Sequence, residues 1–273
     1  MSQQKETVVG DGESAEWLNM EDFSAGIDTN RRARSHDLVG RTIAITTTDG
    51  GTLSLNFADA DTVTWLAKGF AWAGTGSEHY EEVPLDDGGY WVDLSIAERR
   101  VETITVALHP EKGWALIVHS RIEDEGADVE TRVMQTFHGG IIEGTTATMA
   151  DAPAPTRDLI GKRTLFRYSP NHLYEHIYLS SRRFTWQNLV GEQRGHAATE
   201  LATTYKLDDE VYVFTWREEI IPVGTVFVFD YAAGRSTGKF IGLEGDGTIA
   251  NSPGGAIIIP FGYSNYGEYQ DPV

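Results

Sequence analysis

The 273-residue chain contains no cysteine, which excludes disulfides, thiolate zinc sites, iron–sulfur ligation and a thiol nucleophile. Basic side chains are scarce: 22 Lys and Arg face 41 Asp and Glu, a formal charge of −19 at pH 7. So acidic a chain repels nucleic acid and anionic membrane, and its charge chiefly favours solubility. Long apolar runs are missing as well, and no stretch approaches the roughly 18–20 residues that span a bilayer. The opening MSQQKETVVGDGESAEW carries neither the basic nor the apolar segment of a secretion signal, so a soluble cytoplasmic protein is expected. What is present is 40% hydrophobic and 11% aromatic residues, enough for one large core or two ordinary ones.

The sequence repeats itself. Thr64-Trp65 recurs as Thr185-Trp186 and Leu38-Val39-Gly40-Arg41 as Leu159-Ile160-Gly161-Lys162, both at a spacing of 121. Leu85-Asp86-Asp87 recurs as Leu207-Asp208-Asp209 and Tyr90 as Tyr212 at a spacing of 122, as if one loop residue had been inserted. A near-constant offset over about ninety residues reads as an internal duplication.

The duplication tests which faces point inward. In Leu53–Phe57 the apolar Leu53, Leu55 and Phe57 alternate with Ser54 and Asn56, the signature of a half-buried strand. The second copy, LYEHIY, places Tyr174, His176 and Tyr178 on that core face. By the same comparison Tyr90, Val92, Leu94 and Ile96 become Tyr212, Phe214, Trp216 and Glu218, and Ile104, Val106 and Leu108 become Val226, Val228 and Asp230. Burying polar or ionisable groups costs several kcal/mol unless they are paired or solvated, so the comparison predicts a polar-lined cavity in the second copy and a filled, structural first copy.

Short alternating strands recur along both copies, separated by turn sequences such as Asp-Gly-Gly at 49–51 and Asp-Asp-Gly-Gly at 86–89. The fold class expected is all-β: two tandem antiparallel barrels of the lipocalin or calycin kind, each of a size to enclose one small ligand. A mobile segment 1–14, a first barrel over 15–144, a linker over 145–156 (TTATMADAPAPT) and a second barrel over 157–273 follow. Trp17, Leu18, Met20 and Phe23 suit a short helix or turn on a barrel mouth, and GYSNYGEYQDPV is a tail able to lie across a barrel or a partner.

LIGKR, YEHIY, FTWQN, GEQRGHAATE and YVFTWREE together resemble the molybdenum cofactor biosynthesis protein F (MoaF) family. The resemblance covers about residues 15–265 and implies an N-terminal and a related C-terminal lipocalin-like domain. The family name also implies a link to active molybdenum enzymes. No phosphate-cradling glycine loop and no Arg/Lys cluster accompanies it in the second copy's predicted interior.

His176 is the centre of the candidate site, either a core histidine satisfied by its neighbours or a general acid–base. Glu218 follows three aromatics on its own face and fits the pattern of a carboxylic acid in an apolar pocket; Asp230, next to a turn, is a second candidate carboxylate. Tyr174 and Tyr178 are candidate catalytic hydroxyls. Tyr212, Phe214, Trp216, Phe166, Tyr168 and Trp186 serve either as barrel packing or as walls for an aromatic or hydrophobic molecule. His196 lies in the glycine-rich loop, Thr164 joins the Phe166–Tyr168 strand, and Arg182 and Arg183 sit at a turn from which an anion is within reach. His172, His176, His196 and Glu218 offer N and O ligands, but no HxH or HExxH spacing supports a metal, and neither metal nor cofactor is expected. Two functions remain open: a cofactor-independent lyase, decarboxylase or isomerase acting by proton transfer, and a non-catalytic carrier or assembly factor for molybdoenzyme maturation, either one as a possible homodimer.

Overall fold

In the computed structural model, residues 25–99, 101–243 and 249–269 are described; the Trp17–Phe23 segment lies outside them. Eight strands form the first barrel: β1 (Thr42–Thr47), β2 (Thr52–Phe57), β3 (Thr62–Lys68), β4 (Gly74–Pro84), β5 (Tyr90–Ser95), β6 (Glu102–His109), β7 (Trp114–Ile122) and β8 (Val133–Ile142). They pair antiparallel in sequence order, and β8 returns to β1 through Ile45 opposite Ile142, closing the ring. The alternating residues Leu53, Leu55, Phe57, Val63 and Trp65 all point into one aliphatic core with Ile104, Val106 and Leu108.

Sequence reasoning missed β8. Its Gln135, Thr136, His138, Gly139 and Gly140 carry no apolar alternation and resemble a loop. The glycines answer to tertiary structure: a Cβ on Gly139 would lie 2.1 Å from the Pro153 carbonyl, because the linker is drawn against the strand. Gly139→Ala is therefore expected to destabilise the protein by about 1–3 kcal/mol through overpacking, read as a lower denaturant midpoint at unchanged m-value.

The linker contributes a 3₁₀ turn, Met149–Asp151, and the two-residue strand β9 (Ala154–Pro155). The second barrel then runs β10 (Lys162–Ser169), β11 (His172–Tyr178), β12 (Arg183–Val190), β13 (Ala197–Asp208), β14 (Val211–Arg217), β15 (Val223–Asp230), β16 (Arg235–Leu243) and β17 (Ile249–Tyr263). Pairing of β10 with β17 and of β12 with β13 closes it, and β9 attaches to the outside of β13. The turn at Gly88 (φ 92°) is matched by Glu210 (φ 55°) in the second copy, a left-handed conformation that is uncommon without glycine.

The barrels meet side by side. Trp91, Trp114, Leu116 and Val118 on the outside of the first pack against Val211, Val213, Val226 and Val228 on the outside of the second. Strands at this seam are buried on both faces, so β15 has no exposed residue. Asp93 and Lys239, 4% and 1% exposed, form an ion pair of 2.5 Å at the edge of the seam. Thr105 and Asn251 also donate to the Asp93 carboxylate, at 2.6 and 2.9 Å.

Residues 25–36 strap the two halves together. Asn30 N donates to Tyr168 O on the second barrel, whereas Ser35 N donates to Glu82 O on the first. Ile27, 3% exposed, joins the core of the second barrel.

Candidate functional site in the second barrel

The interiors differ, but the roomy polar-lined chamber expected of the second barrel is not there: it too is filled, by rings, and only a small cavity remains. In place of aliphatic side chains, the second barrel is filled by Phe166, Phe184, Phe214, Trp216, Phe227 and Phe229. Residues alternate along β10, β11, β12 and β14, so Phe166, Tyr168, Tyr174, His176, Tyr178, Trp186, Tyr212, Phe214 and Trp216 all reach this core.

His176 sits at the aromatic waist, 2% exposed. Its ring centroid lies 4.3 Å from Phe166, 5.0 Å from Phe184 and 5.5 Å from Trp216. Its Nδ1 is buried with no hydrogen-bond partner among the described residues. Burial pushes the imidazole down to about 3, because a cation there would lose its hydration with nothing in exchange. The histidine is neutral at physiological pH.

One end of the waist opens into a cavity of about 30 Å³ lined by Tyr168, Tyr174, His176, Trp186, Trp216 and Glu218, together with Ile27, Gln193 and Phe240. Glu218 stands just past the end of β14. Burial raises its carboxyl to about 8, Glu200 pushes in the same direction, and a hydrogen bond with Trp216 opposes both. The Tyr174 hydroxyl donates to Gln193 Oε1 at 2.9 Å, and its pKa is pushed up to about 12, chiefly by burial. An uncharged imidazole, a protonated carboxyl and a phenol thus converge on one small space. Among the described residues no three His, Asp or Glu side chains come together as a metal site.

Other candidates lie elsewhere. Tyr178 faces the opposite end of the barrel, where it accepts from the Tyr231 hydroxyl at 3.4 Å and Thr164 Oγ1 lies 3.1 Å from the same hydroxyl. Tyr212 is at that end too, donating to Asp158 Oδ2 at 3.4 Å. Phe166 and Phe214 pack the waist without lining the cavity. Arg183 is held by Glu219 and by Glu130, the latter at 2.5 Å, and Arg182 by Glu130 at 3.6 Å. His196 follows the turn at 191–195, where its N–H donates to Gln193 O, and Gln193 is the residue of that loop that lines the cavity.

The inward placement of Val226, Val228 and Asp230 is corrected by the structure. Tyr212 pairs with Phe229, as Tyr90 pairs with Leu108 in the first barrel. Phe229 therefore takes the inward position and Asp230 the outward one, where its Oδ1 accepts from Ala233 N. Both faces of β15 are apolar, so alternation could not fix its phase, and a slip of one residue exchanges the faces.

Sequence reasoning also missed Glu200, Asn188, Gln193 and Ile27. Glu200 is buried near Glu218, its carboxyl pushed up to about 7 chiefly by burial. It accepts from Glu219 N at 3.0 Å, as Glu78 accepts from Ala97 N at 3.1 Å in the first barrel. That shared bond marks it as a cap for the strand end.

Two closed eight-stranded antiparallel barrels, repeated in tandem, define a lipocalin-like double-barrel protein. The chain belongs to the MoaF family. The MoaF N-terminal domain matches residues 15–124 and the MoaF C-terminal domain residues 153–262. Over 210 residues the chain is 30% identical to protein MoaF of Klebsiella aerogenes, covering 72% of this chain and 76% of that one. Among solved structures it is similar to a putative β-lactamase from Burkholderia vietnamiensis (17% identity, 38% of this chain and 95% of that one, TM-score 0.32). It is also similar to a protein of unknown function of the DUF3598 family from Nostoc punctiforme (12% identity, 80% and 92%, TM-score 0.33). Among the described residues no helix is long and apolar enough to cross a membrane.

Proposed function

We propose that the second barrel binds an uncharged, partly aromatic small molecule at its Tyr174–His176–Glu218 end, with the first barrel as scaffold or as the surface of a homodimer in the cytoplasm. The observation that carries this reading is His176, a polar side chain with a buried nitrogen left unpartnered where the first barrel has Leu55. Packing alone calls for the leucine. An ionic ligand would find a neutral imidazole and a protonated carboxyl, so a neutral hydrogen-bonding edge on an apolar body fits best.

The cavity of about 30 Å³ holds a water or two, whereas ligand sites measure about 300–1,000 Å³. Ligand uptake therefore requires movement of the lining, for which Ile27, Gln193 and Glu218, the three lining residues outside the strands, are placed. The molybdenum cofactor, to which the family name points, fits poorly. Among the described residues no Lys or Arg lines the cavity to meet its phosphate.

A second reading is acid–base turnover of the same molecule, in a lyase, decarboxylase or isomerase. It is favoured by the opposite shifts of His176 and Glu218, which leave an unprotonated base and a protonated acid side by side at neutral pH. Native mass spectrometry of the protein from its own host tests both readings. Wild type should carry a small-molecule adduct, and His176→Leu should fold normally and lose it. A wild type without adduct, or an equal adduct on both proteins, removes the site. If His176→Leu keeps the molecule in a chemically unconverted form, turnover displaces storage as the function.

A further inference from the structure

We propose that the groove between the two barrels, with Arg217 in its wall, binds a small organic monocarboxylate, separately from the interior of the second barrel. Arg217 lies on the outer face of β14. Its Nη1 donates to Gln135 Oε1 at 3.0 Å and Thr215 Oγ1 at 3.3 Å, and its Nη2 to Thr203 Oγ1 at 3.2 Å. All three acceptors are neutral, and among the described residues no carboxylate pairs with this guanidinium. Carboxylates are in excess in this chain, and Arg31, Arg32, Arg99, Arg121, Arg163 and Arg183 each hold one.

A partly buried cation whose hydrogen-bond partners are all neutral has given up hydration for a weak return; the nearest opposing charge acting on it, Glu130, makes no ion pair with it and is shared with Arg182 and Arg183. The barrel itself makes no demand for it, since the matching position of the first copy is Ser95. Burial lowers the proton affinity of Arg217 but leaves it cationic at neutral pH.

The space beside it suits a ligand. The groove measures about 440 Å³ and has Val129, Met134, Phe137 and Leu201 as apolar walls. Phe137 stacks on Tyr205 with ring centroids 5.2 Å apart. Val129 and Met134 are 37% and 42% exposed, an apolar rim open to solvent. The guanidinium fork is complementary to a planar carboxylate, and the walls suit an apolar or aromatic body. Asp128 and Glu130 also line the groove. Glu130 is neutralised by Arg183 at 2.5 Å and Arg182 at 3.6 Å, but Asp128 adds repulsion that grows with ligand charge. That selects a monocarboxylate over a phosphate.

Calorimetric titration of the full chain with benzoate, its neutral isostere benzamide and inorganic phosphate tests the site. Benzoate should bind at least about tenfold more tightly than either of the others, a difference of about 1.4 kcal/mol. Arg217→Gln should erase that preference, and Val129→Trp, which obstructs the groove without touching the guanidinium, should weaken benzoate by about tenfold or more. In His176→Leu, which removes the interior site, benzoate should keep its preference over benzamide. Equal binding of benzoate and benzamide to His176→Leu, no benzoate binding at all, or full benzoate affinity in Val129→Trp overturns the proposal, even if Arg217→Gln proves too unstable to measure.

Discussion

Asp93→Ala is expected to lower the unfolding free energy by about 3–5 kcal/mol, because it leaves a buried ammonium without its counter-ion. Lys239 is 1% exposed and Asp93 4%, so each is almost wholly stripped of water, although both border a groove of about 380 Å³. Burial already pulls the lysine pKa down and Asp93 restores part of it. Thr105 loses its acceptor in the same variant, and Asn251 is left with Ser95 Oγ alone. The loss should persist at high salt, since a pair this deep is screened far less than a surface one. Asp93→Val combined with Lys239→Met, which removes both charges and retains apolar bulk, is expected to recover most of the stability. Chemical denaturation of the three proteins decides the matter. A loss below about 1 kcal/mol in Asp93→Ala would place the pair with ordinary surface ion pairs.

The second large effect is on the pH dependence of stability. His176 stays neutral down to about 3 in the folded protein, whereas an exposed histidine takes a proton near ~6.5. Between those values the unfolded chain binds more protons, so stability is lost as pH falls through that window. Glu218 behaves in the opposite sense. Its folded pKa is raised from 4.5 to about 8, the folded chain holds the extra proton, and stability is lost as pH rises from about 4.5 towards 8. Glu200, raised from 4.5 to about 7, adds to this alkaline limb. At about 1.4 kcal/mol per pH unit, His176 and Glu218 each contribute up to about 5 kcal/mol. These three groups place the optimum at about pH 4.5. Glu218→Gln should flatten the alkaline limb between about pH 6 and 8, and His176→Leu the acid limb below about pH 6. Wild-type and Glu218→Gln curves that run parallel over the alkaline range would mean that the carboxyl ionises freely.

Much of the fold could be read from the sequence wherever a strand has one wet face. Leu53, Leu55 and Phe57 against Ser54 and Asn56 set their own phase, and the offset between the copies carried that phase to Tyr174, His176 and Tyr178. Facing was not legible where both faces are dry. Val226 and Val228 meet the neighbouring barrel while Phe227 and Phe229 fill their own, so Asp230 was assigned to the wrong side. Nor was the strand legible at Gly139 and Gly140, whose place in β8 reflects contacts made by the linker and by β1. Glu200 escaped notice because its counterpart Glu78 is also acidic, and a comparison of copies detects only differences. Ile27 and Gln193 sit in segments without period, where spacing carries no information about facing.

The strap at 25–36 bears on the history of the duplicated chain. Ile27 belongs to the first half of the chain, ahead of β1, yet it lines the second barrel's cavity. Once a residue of one half had become part of the other's cavity wall, the halves were no longer interchangeable modules. A C-terminal half separated from residues 25–36 would lose Ile27 from its cavity wall and keep Gln193.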